Sequence, residues 1–242
     1  MKIVLHNTRK DTIPLLEYYR EKGPYKGLVF VQHGYQSTKE RGGDMLSLGL
    51  ARLGYFVVAI DAFKHGERIQ EPFVTGTEIE RLAEAFVVVK RTALDLVRLH
   101  HNHYRIFETF DMIGVSLGGL VAYYLATRTT HIRKLVPVIS TPDFLAQARH
   151  SLQIAGLDLD TYFTEDKLQF ISSINPLNQL EKLTYKELFI LCGNTDQIVP
   201  MKESVEFYNN HKTEQISLRV YDAEHTVSRE MQKDIYNFIE RD

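Results

Sequence analysis

The chain has 242 residues, with 29 Lys and Arg against 31 Asp and Glu, a formal charge of −2. That near balance excludes the basic excess of a dedicated nucleic-acid binder, and 44% apolar with 25% charged residues excludes a disordered chain. The single cysteine, Cys192, allows no internal disulfide and points to a reducing compartment.

The N-terminal stretch Met1–Thr12 has too short an apolar run for a signal peptide. Tyr55–Ile60, among the longest apolar runs, is far below the ~20 residues of a membrane-spanning helix. The expectation is a soluble cytoplasmic protein that works without a membrane or nucleic acid.

In chain order, two edge strands open the sequence, at Ile3–Leu5 and Leu15–Tyr19. Gly27–Val31 is a buried-strand run that ends at His33-Gly34. Asp44 reads as the N-cap of a helix with Leu46, Leu50 and Leu53 on one face, and Gly54 stops it. The strand Tyr55–Ile60 ends at Asp61. A loop over 62–77 leads to a helix from Glu78 to Leu99, with Ile79, Leu82, Phe86, Val89, Ala93 and Val97 at helical spacing. Phe110–Val115 is a strand that runs straight into a helix over Leu117–Thr127. Ile132–Ile139 and Lys186–Cys192 are strands, a helix follows at 201–210, and Ile216–Tyr221 is the last strand. Val227, Met231, Ile235, Phe238 and Ile239 mark a C-terminal helix. Strands alternating with helices predict an α/β fold with a mostly parallel sheet flanked by helices.

The connection between Ile139 and Lys186 is too long for a simple crossover loop. It reads as a helical cap insertion over 141–180, started by Thr141 as N-cap and Pro142 at the first helical position. Residues 1–140 and 181–242 then form the core of a single domain. The insertion carries Phe144, Leu145, Leu152, Ile154, Leu157, Leu159, Tyr162, Phe163, Leu168, Phe170 and Ile171. That is more apolar surface than so short a segment buries by itself, so it is expected to pack on the sheet edge.

Gly114-Val115-Ser116-Leu117-Gly118 fits G-x-S-x-G, placed where a strand turns directly into a helix. Such a turn pushes the serine hydroxyl out above the sheet edge, and the glycines let strand and helix backbones pass closely. A serine hydroxyl needs a base within hydrogen-bond reach. His225, just after the last strand, is the candidate base. The base in turn needs an orienting carboxylate, and Asp196, after the penultimate strand, is the candidate, with Asp143 as the rival. The order Ser116, Asp196, His225 is one known for hydrolases, and all three fall at the C-terminal ends of predicted strands. An oxyanion formed at Ser116 needs two N–H donors. The backbone N–H groups of Leu117 and of Tyr35, in the His33-Gly34-Tyr35 turn, are the candidates.

His33-Gly34-Tyr35, the run 61–68, the elbow at 114–119, the run 193–200 and Glu224-His225 occur in an order that resembles the α/β-hydrolase superfamily. The sequence is most similar to small bacterial serine esterases related to dienelactone hydrolases and to prolyl-oligopeptidase-type catalytic domains. The resemblance implies an eight-stranded, mostly parallel sheet with a small helical cap.

His65 is a candidate for the pocket mouth and for substrate binding. His100, His101 and His103 read as the charged end of a helix rather than as metal ligands, and Cys192 as a buried small side chain. No phosphate-binding glycine loop occurs, so no nucleotide cofactor and no metal is called for. The sequence reads as a serine carboxylesterase that hydrolyses small esters of short-chain carboxylic acids through an acyl-enzyme on Ser116. A thioesterase or small-amide hydrolase with the same three residues is the alternative, and a non-catalytic ligand-binding hydrolase fold a third. The oligomeric state is not written in the sequence.

Overall fold

In the computed structural model, which describes residues 2–41, 43–69, 76–157 and 164–241 apart from the side chains of residues 78, 79 and 83, the chain opens with a hairpin. Strands β1 (Ile3–Lys10) and β2 (Ile13–Arg20) pair antiparallel. Both are longer than the sequence suggests. Asp11 and Thr12 close the turn at φ of 49° and 68°, the twist that a two-residue hairpin requires. The turn lacks the Asn-Gly or Asp-Gly signal that would have announced it.

The remaining strands are β3 (Leu28–Gln32), β4 (Phe56–Ile60), β5 (Phe110–Val115), β6 (Ile132–Val138), β7 (Glu187–Gly193) and β8 (Ile216–Tyr221). The eight strands form one sheet in the order β1-β2-β4-β3-β5-β6-β7-β8. From β4 to β8 every neighbouring pair is parallel, and the β1–β2 hairpin joins antiparallel through β4. The sheet is thus mixed, and its parallel part carries nearly unbroken apolar strands because helices cover both faces.

One face holds α1 (Asp44–Leu53) and α7 (Arg229–Glu240). Leu46, Leu50, Met231, Ile235 and Phe238 bury there against Val29, Val57, Val136 and Leu191. Asp44 is the first helical residue rather than the cap, which is Gly43. Its carboxylate accepts a hydrogen bond from the Tyr18 hydroxyl at 2.8 Å, so it ties α1 to β2. The opposite face holds α2 (Glu78–His103), α3 (Leu117–Ala126) and α6 (Lys202–His211). All ten residues of α3 are buried, which explains its continuous apolar sequence.

Between β6 and β7 lie α4 (Phe144–Ile154), α5 (Glu165–Ile174) and a 3-10 stretch at Pro176–Lys182. α4 starts two residues later than Thr141-Pro142 predicts. Asp143 is the cap: its carboxylate accepts from the N–H groups of Leu145 and Ala146 at 3.1 and 3.0 Å, while the Thr141 hydroxyl accepts from Asp143 N–H. Of the apolar residues read from this segment, Phe144, Leu152 and Ile171 are buried and Leu145, Leu157, Leu168 and Phe170 pack partly buried on the core. Ile154 is 53% exposed. Leu159, Tyr162 and Phe163 lie outside the described residues. Among the described residues no helix is long and apolar enough to cross a membrane.

Candidate active site

β5 delivers Ser116 into a turn that only a constrained backbone can make. Ser116 sits at φ 54°, ψ −116° between the strand and α3, a conformation that costs a non-glycine residue energy and marks functional turns. The flanking glycines are dictated by contact. A Cβ on Gly114 would lie 2.0 Å from the Gly118 carbonyl oxygen, and one on Gly118 would lie 2.3 Å from that of Gln32. The elbow is therefore locked against β3 as well as within itself.

The loops after β7 and β8 bring two further side chains to the serine. Nε2 of His225 lies 2.8 Å from Ser116 Oγ, and Nδ1 of the same ring lies 2.8 Å from Asp196 Oδ2. Asp196 is buried, and its Oδ1 accepts from the N–H groups of Ile198 and Val199, each at 2.9 Å. With one oxygen fixed by two backbone donors, the other faces the imidazole in a set direction. A carboxylate there favours a proton on Nδ1 and leaves Nε2 as an acceptor for the serine hydroxyl. The three residues read as nucleophile, base and acid are in one hydrogen-bonded chain. Asp143, the rival acid, is held as the cap of α4 instead.

The His33-Gly34-Tyr35 turn runs alongside. A Cβ on Gly34 would lie 3.3 Å from both Ser116 Cβ and the Val115 carbonyl oxygen, so the close approach calls for glycine. His33 orients this turn. Its Nε2 accepts the Ala62 N–H at 3.0 Å, which puts the ring proton on Nδ1, and Nδ1 then donates to the Gly34 carbonyl oxygen at 2.8 Å. Gly34 C=O and Tyr35 N–H belong to one trans peptide and point in opposite directions. Holding the carbonyl therefore aims the Tyr35 N–H. Burial lowers the His33 pKa to about 4, which keeps the ring neutral. At the other side of the serine, Leu117 N–H belongs to the first turn of α3, where helix N–H groups have no partner within the helix.

A cavity of about 110 Å³ opens beside Ser116. Its apolar wall includes Leu82, Phe86, Leu120 and Leu152, and Gln147 and Ser151 add polar groups. Leu152 belongs to the segment expected to pack on the sheet edge, whereas the α2 side of this wall was not read from the sequence. Phe86 and Leu82 were legible as the buried face of α2, but periodicity names a face and not the element it packs against.

His65 follows β4 and is buried, with its ring 5.5 Å from His33 and 5.9 Å from Tyr35. Burial lowers its pKa, and Nδ1 pairs with the Phe63 carbonyl. Among the described residues it lines a neighbouring cavity with Gln36, Ser37, Thr38 and Lys64 rather than the one at Ser116. His100, His101 and His103 occupy the last turn of α2, where His100 Nε2 pairs with the Phe107 carbonyl and His103 with Asp11. Cys192 is buried at the end of β7, and burial pushes its thiol up to about 12.

Comparison with solved structures places this geometry among known folds. The protein TT1662 from Thermus thermophilus superposes with a TM-score of 0.80 at 22% identity, covering 99% of this chain and 98% of its own. Acetyl xylan esterase 1 from Thermoanaerobacterium gives 0.72 at 20% identity, covering 98% and 87%. The esterase Pf2001 from Pyrococcus furiosus gives 0.66 at 25% identity, covering 99% and 90%. No curated protein matches the sequence. The family model of the prolyl oligopeptidase family matches residues 107–241, from the strand before the serine elbow to the end of α7. With its α/β-hydrolase sheet, the chain is a serine hydrolase and belongs to the prolyl oligopeptidase family.

Proposed function

We propose that the protein is a serine carboxylesterase that hydrolyses short-chain carboxylic esters through an acyl-enzyme on Ser116. The observation that carries this reading is the continuous chain from Ser116 Oγ through His225 to Asp196, both contacts 2.8 Å. His225 takes the hydroxyl proton as Ser116 attacks the ester carbonyl, and Asp196 stabilises the imidazolium that results. The N–H groups of Tyr35 and Leu117 receive the oxyanion, aimed by His33 on one side and by the start of α3 on the other. The proton passes from His225 to the leaving alcohol. A water activated by the same ring then releases the acid.

The small cavity beside Ser116 favours an acyl group of few carbons. It supports reading 141–180 as a cap, since Gln147, Ala148, Ser151 and Leu152 of α4 form part of its wall. Two of the superposed structures are esterases by name, which supports an ester over a peptide. Cleavage of a thioester or a small amide by the same residues is the alternative. The test compares an ester, a thioester and an anilide of one acyl group. The ester is expected to give the highest kcat/KM, with all turnover lost in Ser116→Ala. A higher kcat/KM on the anilide would assign the protein to amide hydrolysis.

A further inference from the structure

We propose that the acyl pocket selects esters of hydroxylated short-chain acids, through an acceptor on Gln147 and a donor on Ser151; this rests on the ester reading above. Apart from Ser116 and Tyr35, the other residues that line the pocket are aliphatic or aromatic, which makes two polar side chains on one turn of α4 the feature to explain.

Their hydrogen bonds fix which of their polar atoms are already engaged within the protein. Gln147 is 9% exposed. Its Nε2 lies 3.0 Å from the Ile198 carbonyl oxygen and 3.1 Å from Ser151 Oγ. A carbonyl oxygen can only accept, so the atom facing Ile198 must be the amide nitrogen, and the amide orientation follows without choice. Both N–H bonds are thereby committed: one to Ile198, the other to Ser151. Oε1 accepts from no donor among the described residues. Ser151 Oγ, already accepting from Gln147, has its own hydrogen left to give.

The tether to Ile198 accounts for the amide nitrogen, because it pins α4 to the loop that carries Asp196. It does not account for the oxygen or for the serine hydrogen. Side by side at the pocket wall, these two offer an acceptor and a donor to one incoming group. A hydroxyl, itself donor and acceptor, satisfies both. A plain alkyl chain in the same place would strip water from them and replace it with nothing, and sites built to hydrogen-bond a substrate hydroxyl discriminate strongly against the analogue that lacks it.

The test measures kcat/KM for p-nitrophenyl butyrate and for its 2-hydroxy and 3-hydroxy analogues on the native protein, Ser151→Ala and Gln147→Leu. Alanine suits the helix at position 151, and thermal unfolding checks that both variants fold. The native protein is expected to prefer at least one hydroxylated ester by about tenfold or more, and each variant to bring that preference close to parity. Equal or better turnover of plain butyrate by the native protein would overturn the proposal, as would a hydroxyl preference that survives in Ser151→Ala. Hydrolysis of none of the three esters would remove the ester reading itself and this inference with it, an outcome distinct from hydrolysis without discrimination.

Discussion

The rings of Phe86 on α2 and Phe144 on α4 meet with centroids 5.7 Å apart and planes tilted by 40°. Phe144 is fully buried and braces Phe86, which lines the cavity beside Ser116. The contact backs one wall of the cavity with a packed ring rather than with open space. Each methylene that fits gains about 0.8 kcal/mol of burial, and each beyond the end must displace packed side chains at about 1–3 kcal/mol. In a p-nitrophenyl ester series kcat/KM is expected to peak at about two to six acyl carbons and to fall steeply beyond ~10. Phe86→Ala is expected to move the maximum toward longer chains. A native maximum at long chains would mean that α4 yields to the substrate.

The backbone of Ser116 makes a separate, structural prediction. At φ 54° the residue carries the strain of a side chain in a region that glycine enters freely. Both Ser116→Ala and Ser116→Gly remove the hydroxyl, and kcat is expected to fall by about 10⁴–10⁶. The glycine variant is expected to be the more stable of the two by about 1 kcal/mol in urea unfolding. An alanine variant as stable as the glycine one would show that the elbow is not strained.

Asp196 and Asp143 both follow strands of the parallel sheet, but their carboxylates do different work. Asp196→Asn is expected to lower kcat by about 10⁴ through loss of control over the His225 tautomer. Asp143→Ala is expected to cost about 1 kcal/mol of stability through the lost cap on α4, with kcat within a few-fold of native. Steady-state kinetics and unfolding of both variants check this pair, and a reversal of the two kinetic effects would move the acid to the loop after β6.

These two aspartates also show what sequence can carry. The meeting of Ser116, His225 and Asp196 was legible because each is tied to a local signal, a strand end followed by a turn, and their order along the chain supplied the rest. Asp143 was legible as a candidate but not as a cap, because Thr141-Pro142 offers an equally good start two residues earlier and only the path of the chain after β6 decides. Gly114 and Gly118 were expected to permit close approach, and they do; Gly34, legible only as a turn residue, makes a close approach as well. The pocket walls were not legible. Leu82, Phe86, Leu152 and Val199 come from three segments far apart in sequence, and hydrophobic spacing does not say which of these segments meet. The role of His33 was hidden for the same reason: its two partners are backbone groups, one of them on the loop after β4.

His33 gives a pH prediction with a definite sign. Its pKa is about 4 in the folded chain, held down by burial, against 6.5 for an unhindered imidazole. The folded state disfavours the proton that the unfolded state takes up below pH 6.5. Stability from this group is complete above that value and is lost as pH falls toward 4, by about 3 kcal/mol in total. Urea unfolding at pH 7, 6, 5 and 4.5 is expected to show that decline in the native protein and a shallower one in His33→Asn. Equal slopes would assign the acid sensitivity to other groups.

The central claim, that Ser116 is the nucleophile activated by His225, is tested most directly by labelling the native protein with a fluorophosphonate and mapping the adduct by peptide mass spectrometry. The predicted result is a single adduct on the peptide that contains Ser116, absent in Ser116→Ala and strongly slowed in His225→Ala. No adduct on the folded native protein, or an adduct on another residue that persists in Ser116→Ala, would contradict the account.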